Sequence, residues 1–371
     1  MKKISTYLLM AAMALLLMVS CDKDDKETSS KNIDEKIEEL SMNEKWISYL
    51  VAATLELNDD CESLWSEWQK TGGFAETMKS AGPANSVYRS QSAAIEEIIQ
   101  GCIDIAGEVG AQKIGGPNAL AKAGDKNAVL EVESWYSWNS ITDYSDNIVS
   151  IRNSYLGGRG ATTTQPNSIS SFIKGVDADV DANVIAAINE AHTAILTMQF
   201  PFRNNLTGAR VDAAIEACAN LEDVLIFEVL PLLDNSSYDF TETLKNYTDN
   251  IVIPTYTDMK NASKALYNAC VALQNAPTNQ QKLDDACEAW KANRIPWEQS
   301  EAFLFGPADF AGLDPSLDSW PLDQDDIYEI LNDDRLTSIE QVVGAITSET
   351  VRGFHTIELL LFKNGENRKV R

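Results

Sequence analysis

His355 and Glu358 stand three residues apart near the C-terminal end of the chain. On a helix that spacing puts both on one face, where an imidazole nitrogen beside a carboxylate oxygen can ligate one cation. The same spacing also serves a hydrogen-bonded His–Glu pair that closes a polar gap in a helix interface. Gly353 admits close approach of another backbone or of a ligand, and Arg352 offers a cation to a partner anion. A second polar group comprises Glu133, Ser137, Ser140 and Asn147, with Asp143 beside them. It is interleaved with Val132, Trp135, Trp138, Ile141, Ile148 and Ile151, as on one helix that faces either a polar cleft or solvent. A third group, Glu298, Ser300 and Glu301, lies within the aromatic stretch Trp297 to Phe305, as part of a site or as one paired carboxylate in a packed core. Trp297, Phe303, Phe305 and Trp320 read either as packing or as a stacking platform. Asp314, Asp318, Asp323, Asp325 and Asp326 lack the EF-hand loop pattern and read as helix caps and a solvated acidic loop.

Several chemistries are disfavoured at once. The chain has 2 His, His192 and His355, and neither belongs to HExxH or HxxEH. A hydrolytic zinc site needs three protein ligands, an open position and a base. His355 and Glu358 supply two, Glu301 offers a third, and no local residue identifies the base. His192 follows Ile185 and Ile188 on an apolar stripe and reads as an interior histidine. No GxSxG elbow or phosphate-cradling glycine loop is present. Oxygen-rich donors with one imidazole suit iron or manganese, although affinity order alone leaves zinc and copper open. With 30 Lys and Arg against 56 Asp and Glu, the formal charge is −26, which repels phosphate backbones and draws in cations or basic partners. Sequence-general nucleic-acid binding is thereby disfavoured.

The elements that must position these groups are helical. Ile47, Leu50, Thr54, Leu57, Cys61, Leu64 and Trp68 recur at steps of three and four, ending at Thr71-Gly72-Gly73. Similar stripes run from Val211 to Leu232 and from Met259 to Leu273, and few period-two runs exist. The fold class expected is all-α: two packed four-helix bundles, residues 41–245 and 246–371, with Asp234 to Asp249 as the joint and the site between them. Cys61, Cys102, Cys218, Cys270 and Cys287 fall in helical patterns and read as buried thiols or as one incidental bridge.

Lys2 and Lys3 precede an apolar run from Leu8 to Val19, too short to span a bilayer. Leu17-Met18-Val19-Ser20-Cys21 resembles a bacterial lipobox, which implies a signal peptide over residues 1–20, cleavage before Cys21 and lipidation of its sulfur. Residues 21–40 then form an acidic tether. Cys21-Asp22-Lys23-Asp24-Asp25 resembles the signal that sends Bacteroidetes lipoproteins to the outer face of the outer membrane; a plain solvated tether, facing the periplasm, is the alternative. The lipid anchor is the expected membrane attachment.

Trp297-Glu298-Gln299-Ser300-Glu301-Ala302-Phe303-Leu304-Phe305-Gly306-Pro307, then Asp318-Ser319-Trp320-Pro321-Leu322-Asp323, then Gly353-Phe354-His355-Thr356-Ile357-Glu358 together resemble the imelysin-like proteins and their GxHxxE motif. Ile253-Pro254-Thr255-Tyr256 resembles the opening of an imelysin domain. Glu133-Ser134-Trp135-Tyr136-Ser137-Trp138-Asn139-Ser140, continuing through Asp143 and Asn147 to Tyr155-Leu156-Gly157, resembles a segment that follows HxxE in that family but precedes it here. The resemblance therefore implies a circular permutation, with residues 41–245 matching the family's C-terminal half and 246–371 its N-terminal half. It also implies an envelope protein of iron uptake that binds a metal ion or an iron-bearing ligand, with an outer-membrane transport complex as partner. His355, Glu358 and Glu301 are then the expected metal ligands, with Glu133 as a further oxygen donor. Ser134, Ser137, Asn139, Asp143, Asn147, Trp297, Ser300, Trp320 and Gly353 would line the ligand site. A zinc-dependent peptidase using the HxxE motif is the rival reading, and a docking module whose motifs only shape a groove is a third.

Overall fold

The computed structural model describes residues 32–233 and 237–371, so the expected leader over residues 1–20, Cys21 and residues 22–31 lie outside the described residues. The described residues are all-α apart from one two-residue-per-strand hairpin, Phe362–Lys363 with Glu366–Asn367. The helices that position the site are α1 (Ile33–Leu40), α2 (Glu44–Gln69), α3 (Gln91–Gly107), α4 (Ser140–Leu156), α5 (Ala178–Leu196), α6 (Ala209–Val224), α7 (Ile253–Gln274), α8 (Gln280–Glu298), α9 (Leu313–Asp318) and α10 (Gly353–Leu361).

Their limits follow from local chemistry. The Asn43 side chain accepts the Trp46 N–H to start α2, whose stripe from Ile47 to Trp68 is wholly buried. Asp177 and Asn279 cap α5 and α8 in the same way. Gly157 ends α4 at φ +81°, where a side chain would also meet Ser168.

The helices close two four-membered rings: α3, α4, α5 and α6 form one, and α2, α7, α8 and α10 the other. Each ring is sealed by apolar side chains, and each fully buried Leu, such as Leu50 or Leu266, contributes about 1.5–3 kcal/mol. The division differs from the expected cut at residue 245, because α2 belongs with the second half. Its polar tethers lie there: Trp46 Nε1 donates to Leu360 O (3.0 Å), and the Tyr49 hydroxyl donates to Val351 O (2.6 Å). The expected joint is also shorter. Residues 241–252 form helix and a π-turn that run straight into α7, because Leu244, Tyr247, Ile251 and Val252 make a buried stripe beneath the polar residues that dominate the local composition. Likewise the expected tether is helical from Ile33, since Ile37 is buried and Asn32 caps the turn. Arg368 Nη1 reaches Glu38 (2.7 Å) and Arg371 Nη2 donates to Glu39 O (2.6 Å), so the C-terminal residues lie against α1.

All five described cysteines are free and buried. Among the described residues no helix is long and apolar enough to cross a membrane. His192 is partly exposed rather than interior, because it sits at the edge of the α5 stripe; partial burial, and then the charge of Arg152, lower its pKa.

Candidate functional site

Helix α8 packs on α4, and this seam between the rings holds a buried charged network. At its centre is Arg294, fully buried on α8. Its Nη1 donates to Asp318 Oδ1 (2.6 Å), and its Nη2 contacts Glu298 and lies 3.3 Å from Asp143 Oδ2. Every carboxylate around it is held by further donors. Trp297 Nε1 donates to Asp318 Oδ2 (2.6 Å), and the Asn147 amide donates to Glu298 Oε2 (2.5 Å). The Ser134 hydroxyl (2.5 Å) and the Asn139 amide (2.6 Å) donate to Asp143.

His355 joins this network from α10. Its Nδ1 is 3.3 Å from Glu358 Oε2, and its Nε2 is 3.1 Å from Asp318 Oδ1. The latter approach is an ion-pair contact off the hydrogen-bond axis, so Nε2 keeps no formed hydrogen bond. Burial opposes the imidazolium, but Asp318, the stronger of its two carboxylate partners, raises the His355 pKa to about 10. Burial likewise works against Asp318, yet Arg294 and then His355 hold it well below the ordinary carboxylate range. Ser137 donates both its backbone N–H (2.7 Å) and its hydroxyl (2.6 Å) to Glu358 Oε1.

Gly353 lets this geometry form. At φ +81° it suits glycine, and a Cβ there would lie 2.4 Å from Leu317 O. The backbone that approaches is the end of α9, which carries Asp318 onto His355. The edge of Trp320 closes over the imidazole, with ring centroids 5.0 Å apart.

The network opens on one side into a cleft of about 390 Å³, lined by Glu133, Glu301, Asp318, Trp320 and Lys113 among others. Lys113 projects from a π-helix, Glu108–Ile114, and is nearly buried. Its Nζ lies 3.2 Å from Glu133, 3.6 Å from Glu108 and 3.9 Å from Glu301, and these acids outweigh burial to raise its pKa well above normal. Glu298, Glu301 and Asp318 each bring an oxygen within 4.8 Å of the others, a span that one hard cation can bridge. Burial pushes the Glu298 carboxyl up to about 8 and Glu301 well above its usual value, against the pull of Arg294 and Lys113 respectively. Four buried carboxylates, Asp143, Glu298, Glu301 and Glu358, and the half-buried Asp318 thus face three buried bases, Arg294, Lys113 and His355.

The expected metal set is rearranged. Glu301 belongs to the three-carboxylate cluster, whereas both ring nitrogens of His355 already face carboxylates and Glu358 is committed to Ser137 and His355. This pair positions Asp318 instead of gathering with Glu301 around one ion. Glu133 pairs with Lys113, and Ser300 turns away to donate to Trp297 O (2.6 Å). Ser134, Ser137, Asn139, Asp143, Asn147, Trp297, Trp320 and Gly353 all meet at the network. The helix expected through Glu133 to Asn147 begins only at Ser140. Residues 132–139 are irregular, with Ser134 at φ 51° and Trp138 at φ 63°, and that turn aims Ser137 at Glu358.

The family model for imelysin matches residues 23–226 and 252–371 of this chain. The chain belongs to the imelysin family. The crystal structure of an imelysin peptidase from Bacteroides ovatus is similar at 40% identity and a TM-score of 0.82, over 88% of this chain and 97% of that one. Iron-regulated protein A of Synechococcus elongatus is 36% identical over 121 residues, which are 33% of this chain and 31% of that protein. The chain thus matches about a third of that curated relative's length.

Within this imelysin fold, Arg294 and Lys113 are the site residues that sequence reasoning missed, and Asp318 was assigned to a solvated loop. A signal for Arg294 existed: Trp290, Arg294, Trp297 and Glu298 share one helical stripe, so the arginine lies on a face that must be buried.

Proposed function

We propose that this protein is an envelope-anchored accessory of iron uptake that binds a metal ion, or an iron-bearing ligand, in the acidic cleft between its two bundles. The observation that carries the reading is the excess of buried carboxylate over buried base, with Glu298, Glu301 and Asp318 within reach of one ion and the last two of them lining the cleft. Oxygen donors of this kind fit iron or another hard divalent cation. Arg294 and His355 would hold Asp318 in place, and Lys113 would yield Glu301 as the cation enters. Membership of the imelysin family and the printed name of the Synechococcus relative favour an iron-related role.

Attachment through Cys21 at the outer membrane, facing the cell surface, and a transport complex there as partner complete this proposal. A permuted order of the two halves is also proposed; the packing of the C-terminal residues on α1 supports it, because adjacent ends can be joined.

Metal content by plasma mass spectrometry tests the reading, on purified protein stripped and then offered iron, manganese, zinc and calcium. Retention of about one ion, weakened at least about tenfold in Glu301→Gln, is expected. No retention by the wild type, with citrate-chelated iron also unbound, overturns it. Cleavage of a protein substrate that is lost on chelation and in Glu301→Gln would replace it with the peptidase reading.

A further inference from the structure

The larger opening among the described cavities lies elsewhere, with a volume of about 690 Å³. Its walls come from α1, the segment around Trp135 and Tyr136, the end of α10, the C-terminal hairpin and Arg203. That volume matches a small organic molecule.

Its polar groups are unevenly satisfied. Arg368 pairs with Glu38 (2.7 Å) and also donates to Leu359 O, and Lys363 lies 3.1 Å from Glu38. Among the described residues Arg203 has no carboxylate partner within ion-pair distance. It stacks on Trp135, 4.2 Å from the ring centroid, and donates Nη1 to Trp135 O (3.0 Å), but its buried Nε finds no acceptor. The indole N–H of Trp135, a residue only 8% exposed, is likewise without an acceptor. It lies beside the Tyr136 hydroxyl without the geometry of a bond, and burial keeps that phenol neutral by raising its pKa. Leaving such donors unpaired costs free energy that an incoming acceptor recovers. Burial also lowers the Arg203 pKa, the direction expected of a cation lacking a contact anion.

We propose that this cavity binds a small monocarboxylate with an apolar body, its carboxylate received by Arg203 and the Trp135 indole N–H. A planar guanidinium beside a second N–H suits a carboxylate's two oxygens. Asp34, Glu35, Glu38 and Glu39 on the rim repel a polyanion such as phosphate, and Ile37, Leu359 and Tyr136 cover the apolar remainder. This site is independent of the cation reading, because it shares no lining residue with the acidic cleft.

Isothermal titration of the full chain with 3-phenylpropionate, its primary amide and inorganic phosphate tests the proposal. The acid binds, the amide binds at least about tenfold more weakly, and phosphate does not compete. Arg203→Gln weakens the acid by about tenfold or more, and Trp135→Phe, which keeps the ring and loses the N–H, by about threefold or more. Arg203→Lys keeps a charge without Nε and falls between them, which decides the matter if the glutamine variant does not fold. Absence of binding, equal affinity for acid and amide, or undiminished affinity in a folded Arg203 variant overturns the proposal.

Discussion

Two openings flank the segment between Glu131 and Tyr136, and they carry opposite deficits. On one side the acidic cleft gathers carboxylates that outnumber their bases, and burial drives Glu298 and Glu301 toward their neutral forms. On the other, the larger cavity presents N–H donors on Arg203 and Trp135 that outnumber their acceptors. Trp135 and Tyr136 beside the larger cavity and Leu304 and Trp320 beside the cleft belong to one hydrophobic core. What differs is the sign of the unmet demand, and that sign names the ligand: a cation for the first, a monoanion for the second.

The comparison breaks most visibly at Arg294. Arg294→Met leaves Asp143, Glu298 and Asp318 buried without their common partner and costs about 3–5 kcal/mol in urea unfolding. A loss below about 1 kcal/mol would mean that Arg294 is not what holds these carboxylates, removing the anchoring of Asp318 on which the cation reading stands.

His355 sharpens the same side through pH. Its pKa is raised from 6.5 to about 10, so its pairing contributes fully below about pH 6.5 and is lost as pH rises toward 10. Thermal unfolding should show stability falling across that window by up to about 1.4 kcal/mol per pH unit, and His355→Gln should remove that component. An unchanged slope in the variant would assign the pH dependence to other groups.

The smallest expected effect is a null one. Glu301→Gln should leave 3-phenylpropionate affinity within about 0.5 kcal/mol of wild type, and Arg203→Gln should leave cation retention equally unmoved. Cross-effects larger than that, measured by titration in both directions, would show that the 131–136 segment couples the openings and that they act as one site.

The helical stripes were legible from the sequence because they depend on spacing alone: the α2 positions from Ile47 to Trp68 are all buried as read. His355 and Glu358 were legible as a pair on one helical face, but their partners in the network were not. Which partner takes His355 depends on Asp318, 37 positions away along the chain and delivered by the close contact of Gly353 with α9. Lys113 was hidden because a π-helix shifts the period that would have marked it as inward-facing. Ser134 and Trp138 concealed the break before α4, since neither residue type ordinarily announces a left-handed turn. Bundle membership of α2 was equally out of reach, because an apolar stripe states that a face is buried and not against what.

The buried cysteines have a bearing on redox chemistry. Burial pushes the thiols of Cys102, Cys218 and Cys270 up to about 12, and those of Cys61 and Cys287 higher still. Peroxide and disulfides react with thiolate, a form these groups do not populate at neutral pH. Oxidants would therefore find no ready reductant in these five thiols.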